Sequence, residues 1–119
     1  MPSTVLRIRD RATFEAMRRA GTRARRGPIT VVRLPVEDDS LPPRVAYAIG
    51  RKTGGAVVRN RLRRRLRAIA AELAGDAVTP LPGGAYLLVG GLEAANLPFA
   101  ELRAAVADAV SAVVARQPA

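Results

Sequence analysis

Between positions 59 and 67 the chain carries six arginines and one asparagine, within a segment of helical periodicity. That segment, residues 56–73, reads AVVRNRLRRRLRAIAAEL and contains neither proline nor glycine. At 100° per residue, Val58, Leu62, Leu66, Ile69 and Leu73 fall within about 80° of one another, an apolar stripe that needs a covering surface. Arg59, Arg63 and Arg67 form an i, i+4, i+8 row beside it, Asn60 and Arg64 form the next, and Arg61 and Arg65 a third. Like charges at i, i+4 repel by roughly 0.2–0.5 kcal/mol per pair, and no acid relieves them before Glu72. A solvated structural helix interleaves glutamates with its cations. The fold must therefore bury one side of this helix and leave the other open to an anionic partner.

The distribution of charge supports the same conclusion. The chain has 119 residues, 20 basic and 10 acidic, and a formal net charge of +10. Residues 1–67 hold 18 of the basic and five of the acidic side chains, and the rest of the chain reverses the balance. Solubility alone would scatter the charge; segregation points to a polyanion. All but one of the basic residues are arginine, whose planar fork binds phosphate bidentately and stacks on bases. There is no histidine and no cysteine. That excludes the usual zinc, iron–sulfur and haem sites, Ser-His-Asp and Cys-His nucleophiles, and histidine acid–base chemistry. The sequence thus offers no catalytic residue and no metal site of its own. The lack of cysteine is compatible with a cytoplasmic setting. Residues 1–11 contain three arginines and no apolar core of a signal peptide. The longest apolar stretches, 85–89 and 112–115, are far too short to span a membrane, so no membrane partner is expected.

The order of elements reads as a single α+β domain over residues 1–119, with three helices packed on a small central sheet. Asp10 can cap a helix over 11–20, and Gly21 stands where a C′ glycine belongs. Residues 22–28, TRARRGP, read as a basic connector. Ile29 to Val36 reads as a strand. Glu37 to Pro43 reads as a solvated acidic turn rather than a Mg²⁺ site, because nothing nearby supplies a rigid frame. Arg44 to Gly50 alternates, with Val45, Tyr47 and Ile49 on one side and Ala46, Ala48 and Gly50 on the other. The small side would let a helix or an RNA strand come close. After the helix of 56–73, Ala85 to Gly90 reads as a buried strand, and residues 91–97 connect it to a last helix. Phe99, Leu102, Val106, Val110 and Val113 form that helix's apolar stripe.

Arg51 and Lys52 precede Thr53-Gly54-Gly55 at the start of the arginine-rich helix. Glycines permit close approach of a ligand, and free N–H groups at a helix N-terminus attract phosphate. Gly50 and Gly55 are followed by Ala56-Val57, so this is not a P-loop. No G-x-x-G occurs, which disfavours a KH domain, and no aromatic RNP1 row is present.

The stretch from Val45 to Arg67, VAYAIGRKTGGAVVRNRLRRRLR, resembles the bacterial ribonuclease P protein subunit. The matching residues are Gly50-Arg51-Lys52 for the basic turn, Gly54-Gly55-Ala56-Val57 for the segment after it, and Arg59-Asn60-Arg61 with Arg63, Arg64 and Arg67 for the helix. Phe14 followed by Gly21 is similar to the family's first helix and its end, and Tyr86-Leu87-Leu88-Val89 to its last strand. The resemblance covers nearly the whole chain. It implies an order α-β-β-β-α-β-α with a left-handed βαβ crossover.

It also implies a function. The catalytic RNA of ribonuclease P removes the 5′ leader of precursor tRNA by Mg²⁺-dependent hydrolysis, the metal being required by the RNA. The protein would be a subunit of an endoribonuclease whose chemistry lies in the RNA, with that RNA and precursor tRNA as partners. Arg51, Lys52, Arg59, Asn60, Arg61, Arg63, Arg64 and Arg67 would contact RNA. Phe14, Arg18, Val32 and Tyr47 would line a cleft for the leader. Arg18 and Val32 stand where the family often has aromatics, Gly90-Gly91 where an arginine often follows the last strand, and Gly55 where an asparagine precedes the Ala-Val pair. The leader contact is therefore expected to rest more on charge, from Arg18, Arg19, Arg25 and Arg26, than on stacking. The alternative is an RNA-binding module without a role in cleavage, such as a ribosomal protein or an RNA chaperone. No feature of the sequence specifies a homodimer.

Overall fold

The computed structural model describes residues 4–38 and 40–116. Its elements in chain order are β1 (Leu6–Arg7), α1 (Arg11–Ala20), β2 (Thr22–Arg26), β3 (Ile29–Leu34), β4 (Arg44–Ile49), a 3₁₀ turn (Arg51–Thr53), α2 (Ala56–Ala74), β5 (Ala85–Gly90), α3 (Leu92–Ala95) and α4 (Phe99–Ala115). The strands form one mixed sheet in the order β1-β4-β5-β3-β2. β1 and β5 flank β4 in parallel, whereas β3 runs antiparallel to both β5 and β2. This is an α+β fold with four helices rather than the expected three. The additional one, α3, is a single turn inside the 91–97 connection.

Strand alternation divides the core between two faces. Ile29 and Val31 of β3, Val45 of β4, and Tyr86 and Leu88 of β5 join Leu62, Leu66, Ile69 and Leu73 of α2 and Leu102, Val106, Val110 and Val113 of α4. Each such large apolar side chain contributes roughly 1.5–3 kcal/mol when fully buried. On the opposite face Val32 and Ala85 meet Ile8 and Met17, with Leu34, Ala46 and Leu87 partly covered beside them. Among the described residues α1 and the preceding Ile8 cover this second face, and the half towards the ends of β4 and β5 stays open.

Two of the expected stripe residues sit at its exposed ends. Val58 and Phe99 are 39% exposed in the first turns of α2 and α4. The β3 strand also carries a buried cation. Arg33 points to the helix-covered face, donates from Nε to the Tyr86 hydroxyl (3.0 Å) and from a terminal nitrogen to the Gly83 carbonyl (2.9 Å), and its guanidinium lies 5.6 Å from the centre of the Tyr86 ring.

The segment 22–28 is not a connector. Thr22–Arg26 is an edge strand paired residue for residue with β3, from Thr22 opposite Arg33 to Arg26 opposite Ile29. Gly27-Pro28 closes the hairpin. Gly27 has φ of 56°, as the first central position of a type II′ turn requires. The strand holds one buried side chain, Ala24, directed to the helix-covered face.

The helix α1 begins as expected. The Asp10 carboxylate accepts from the Thr13 N–H (3.0 Å) and from the Thr13 hydroxyl, and its other oxygen receives Arg44 at 3.1 Å. These bonds, the Thr13 hydroxyl first, hold the Asp10 carboxyl below its usual range. Gly21 ends the helix for a different reason from the expected one. Its φ is −69°, so no left-handed conformation is involved. A Cβ there would lie 2.3 Å from the Met17 carbonyl oxygen and 2.6 Å from Val32 Cγ1. Glycine lets α1 pass directly against β3.

Candidate RNA interface

The helix α2 is fixed by its stripe on β4 and β5, and this orients each arginine differently. Arg61, Arg64 and Arg67 are exposed, as is Asn60, while Arg59, Arg63 and Arg65 are half-buried. The Asn60 side-chain oxygen accepts from Arg63 at 2.8 Å and so positions that guanidinium. With Val57 and Arg64, these two residues and Arg67 border a shallow depression of about 480 Å³. Arg65 turns the other way and donates to the carbonyls of Ala95 and Leu97 at the end of α3. Desolvation, then the charge of Arg61, lowers the pKa of Arg65. Six arginines thus divide into five on or near the open surface and one committed to the protein.

No acid neutralises this helix face. Among the described residues, ion pairs join Arg11 to Glu15, Arg44 to Asp10, and Arg103 to Glu72 and Asp76, and none involves an arginine between 59 and 67. At the start of α2, Arg51 and Lys52 are exposed on the 3₁₀ turn, and Gly54 takes φ of 144°. Gly55 occupies the N-cap position without a side-chain cap, leaving first-turn N–H groups to be satisfied from outside.

Two clefts flank α1. One, of about 410 Å³, is lined by Phe14, Arg18, Arg23, Val32 and Leu87 among others. The other, of about 720 Å³, lies along the edge of β4 that β1 leaves unpaired, and brings Phe14 together with Tyr47, Arg7, Arg63 and Arg67. Phe14 is 38% exposed and borders both. Burial raises the pKa of the Tyr47 phenol, and the Arg67 guanidinium opposes that shift in part.

The chain matches the family model described as Ribonuclease P over residues 3–114. The chain belongs to the ribonuclease P protein family. It is 44% identical to the ribonuclease P protein component of a Nocardioides species over 104 residues, 86% of each chain. With that of Thermobifida fusca it shares 37% identity over 114 residues, 90% of this chain and 75% of the other. In fold it is similar to the RNase P protein from Thermotoga maritima, with a TM-score of 0.74 at 21% identity, covering 94% and 98% of the two chains. The Staphylococcus aureus RNase P protein aligns with a TM-score of 0.75 at 17% identity, covering 95% and 97%.

Within this family fold, the residues expected to meet RNA fall into distinct groups. Asn60, Arg63, Arg64 and Arg67 border one depression on the outer face of α2, Arg61 is exposed near Arg65, and Arg51 and Lys52 extend the surface at its N-terminal end. Arg59 is half-buried, and its Nε has no hydrogen-bond partner among the described residues. Phe14, Arg18 and Val32 meet in one cleft, where Val32, buried under α1, forms floor rather than contact surface. Tyr47 does not line that cleft. Alternation along β4 turns it to the α2 side, so it occupies the neighbouring cleft with Arg63 and Arg67. Sequence reasoning passed over Arg23, because segment 22–28 did not read as a strand with a defined open face. Among the described residues no cluster of carboxylates could hold a metal ion, and no helix is long and apolar enough to cross a membrane. Asp39 of the acidic turn lies outside the described residues; its neighbour Asp38 is occupied by Ser40.

Proposed function

We propose that this chain is the protein subunit of a cytoplasmic ribonuclease P, holding the catalytic RNA with α2 and the 5′ leader of precursor tRNA on the side of α1. The observation that carries this reading is the unneutralised face of α2, with Arg61, Arg63, Arg64, Arg67 and Asn60 directed outward and no acidic partner among the described residues. Phosphates complete such a face, and the guanidinium forks suit them in number and geometry. Asn60 contributes by fixing Arg63. Arg51, Lys52 and the half-buried Arg59 add charge where the helix begins.

The α1 side is suited to a single strand. Phe14 offers an exposed ring on which a base can stack, and Arg18 supplies charge at the same cleft. Tyr47 with Arg63 and Arg67 provides a second aromatic and cationic surface beside it. Among the described residues these surfaces carry no carboxylate cluster, and the lining acid Glu15 faces Arg11. Mg²⁺ bound to the RNA would supply the charge stabilisation for phosphodiester hydrolysis. The protein's part is to bind and orient, which lowers the entropic cost of bringing substrate and catalyst together.

The test is differential binding. The assembled protein–RNA complex is expected to bind precursor tRNA more tightly than mature tRNA, and the RNA subunit alone to discriminate less. Equal discrimination with and without the protein would remove the leader-binding role.

A further inference from the structure

On the sheet face that α1 partly covers, the strands set two ordered rows. Strand register sets Arg23, Val32, Leu87 and Ala46 side by side across β2, β3, β5 and β4, and sets Arg25, Thr30, Val89 and Ala48 side by side in the next row on the same face. Arg23, Val32 and Leu87 of the first row line the cleft beside α1, and Ala46 borders the neighbouring one. The second row opens into a separate cleft of about 370 Å³, which Lys52 and Thr53 also line. Each row therefore has an arginine at its β2 end, an uncharged middle and an alanine at its β4 end. Two residues of strand separate the arginines by about 6.5–7 Å, comparable with the backbone repeat of one extended nucleotide.

Both arginines have donors to spare. Arg23 makes no side-chain hydrogen bond among the described residues, and Arg25 spends only Nε, on the Gly27 carbonyl at 3.1 Å. Thr53 is 2% exposed, and its hydroxyl has no hydrogen-bond partner among the described residues. No acidic side chain lines the second cleft. Among the described residues lining the first, Glu15 is the one acid, and it faces Arg11 at 4.0 Å.

We infer that Arg23 and Arg25 form a two-step phosphate rail along β2, which carries single-stranded RNA from the cleft beside α1 over the open sheet to the 3₁₀ turn. Two successive phosphates meet the two arginines, and the bases lie over Leu87 and over the Thr30–Val89 row, with Val32 beneath α1 closing the floor. The alanines of β4 leave this floor unobstructed. The edge strand thus acts as one wall of the RNA path. This rests on the reading that leader RNA lies on the α1 side, and it adds which strand guides the leader and how many contacts it makes there.

The experiment uses the assembled protein–RNA complex and precursor tRNAs whose leaders lengthen by one nucleotide at a time, with mature tRNA as baseline. Wild type is expected to gain affinity in steps. Arg23→Ala and Arg25→Ala should each erase a different step, by about threefold to fivefold, and each should flatten the salt dependence by about 0.7 in log–log slope. Arg25→Lys should keep most of its step. Both side chains are exposed, so wild-type melting is expected, and a circular dichroism melt checks it. Loss of the same size at every leader length, or no loss in either variant, overturns the rail while leaving leader binding in place. A wild-type protein that confers no leader dependence overturns both.

Discussion

Arg65 separates the structural account of α2 from a simple count of its charges. Replacing it by alanine removes two charge-assisted hydrogen bonds, to the carbonyls of Ala95 and Leu97. Such bonds contribute about 1.5–3 kcal/mol each when well shielded. The Arg65 guanidinium is only partly removed from water, and solvent can replace it at both carbonyls. A total loss of about 1–2 kcal/mol is therefore expected. For a domain of this size that lowers the melting temperature by roughly 3–10 °C. The same variant should leave the salt dependence of RNA binding unchanged, because its guanidinium faces α3 rather than the open surface. Arg64→Ala should do the reverse, melting with wild type and flattening the log K against log[salt] slope by about 0.7–0.9. Paired thermal melts and salt titrations of the two variants decide the matter. If Arg65→Ala keeps full stability and flattens the slope as Arg64→Ala does, the assignment of Arg65 to the protein interior is refuted.

Gly21→Ala should destabilise the fold by about 1–3 kcal/mol in urea denaturation, since its Cβ meets a backbone oxygen and Val32; wild-type stability would show that α1 does not press on β3. The Asp76 carboxyl is lowered from 3.8 to about 2 by the N–H groups of Val78 and Thr79 and by Arg103. A depressed native pKa means that folding favours the ionised form, so its stabilisation is complete above about pH 4 and fades as pH falls towards 2. Asp76→Asn should reduce the acid sensitivity of stability in that window, measured by urea titration at each pH. If about five α2 charges meet phosphates, the salt slope from this helix is near −3.5 to −4.5, and Arg63→Ala should lower its magnitude by roughly one.

The helices and the inner strands were legible because their patterns are local. Asp10 and the apolar spacing set α1 and the run from Ala85 to Gly90 set β5 at the observed bounds, and the stripe from Leu62 to Leu73 set α2 to within one residue. The strand β2 was not legible because its order is imposed from outside. Four of its five residues are threonine or arginine with no apolar partner of their own. Pairing with β3, hairpin closure at Gly27 and the docking of Ala24 make it a strand. The single turn of α3 has the same character, too short to persist without the Arg65 bonds that close it.

The site was legible as a surface but not in its division of labour. Arginine spacing and missing acids predicted an anion-binding face. The resemblance implies which anion this face meets and the roles proposed for Phe14 and Asn60. What composition could not supply was orientation. On a helical wheel Arg59 and Arg65 each lie about 60° from the centre of the apolar stripe, against about 160° for Asn60 and Arg64. Flanking angles of that size place a long side chain at the protein boundary, where Arg65 finds carbonyls. Tyr47 was similarly decided by alternation, which the sequence already contained, once β4 had helices on one face and α1 on the other.

The most direct test of a protein that binds while RNA reacts is cleavage of precursor tRNA at limiting Mg²⁺ by three mixtures: bacterial ribonuclease P RNA alone, this protein alone, and the two together. The account predicts little cleavage by the RNA alone, none by the protein alone, and efficient 5′ leader removal by the mixture. Cleavage by the protein alone, or no gain when it joins the RNA, would contradict it.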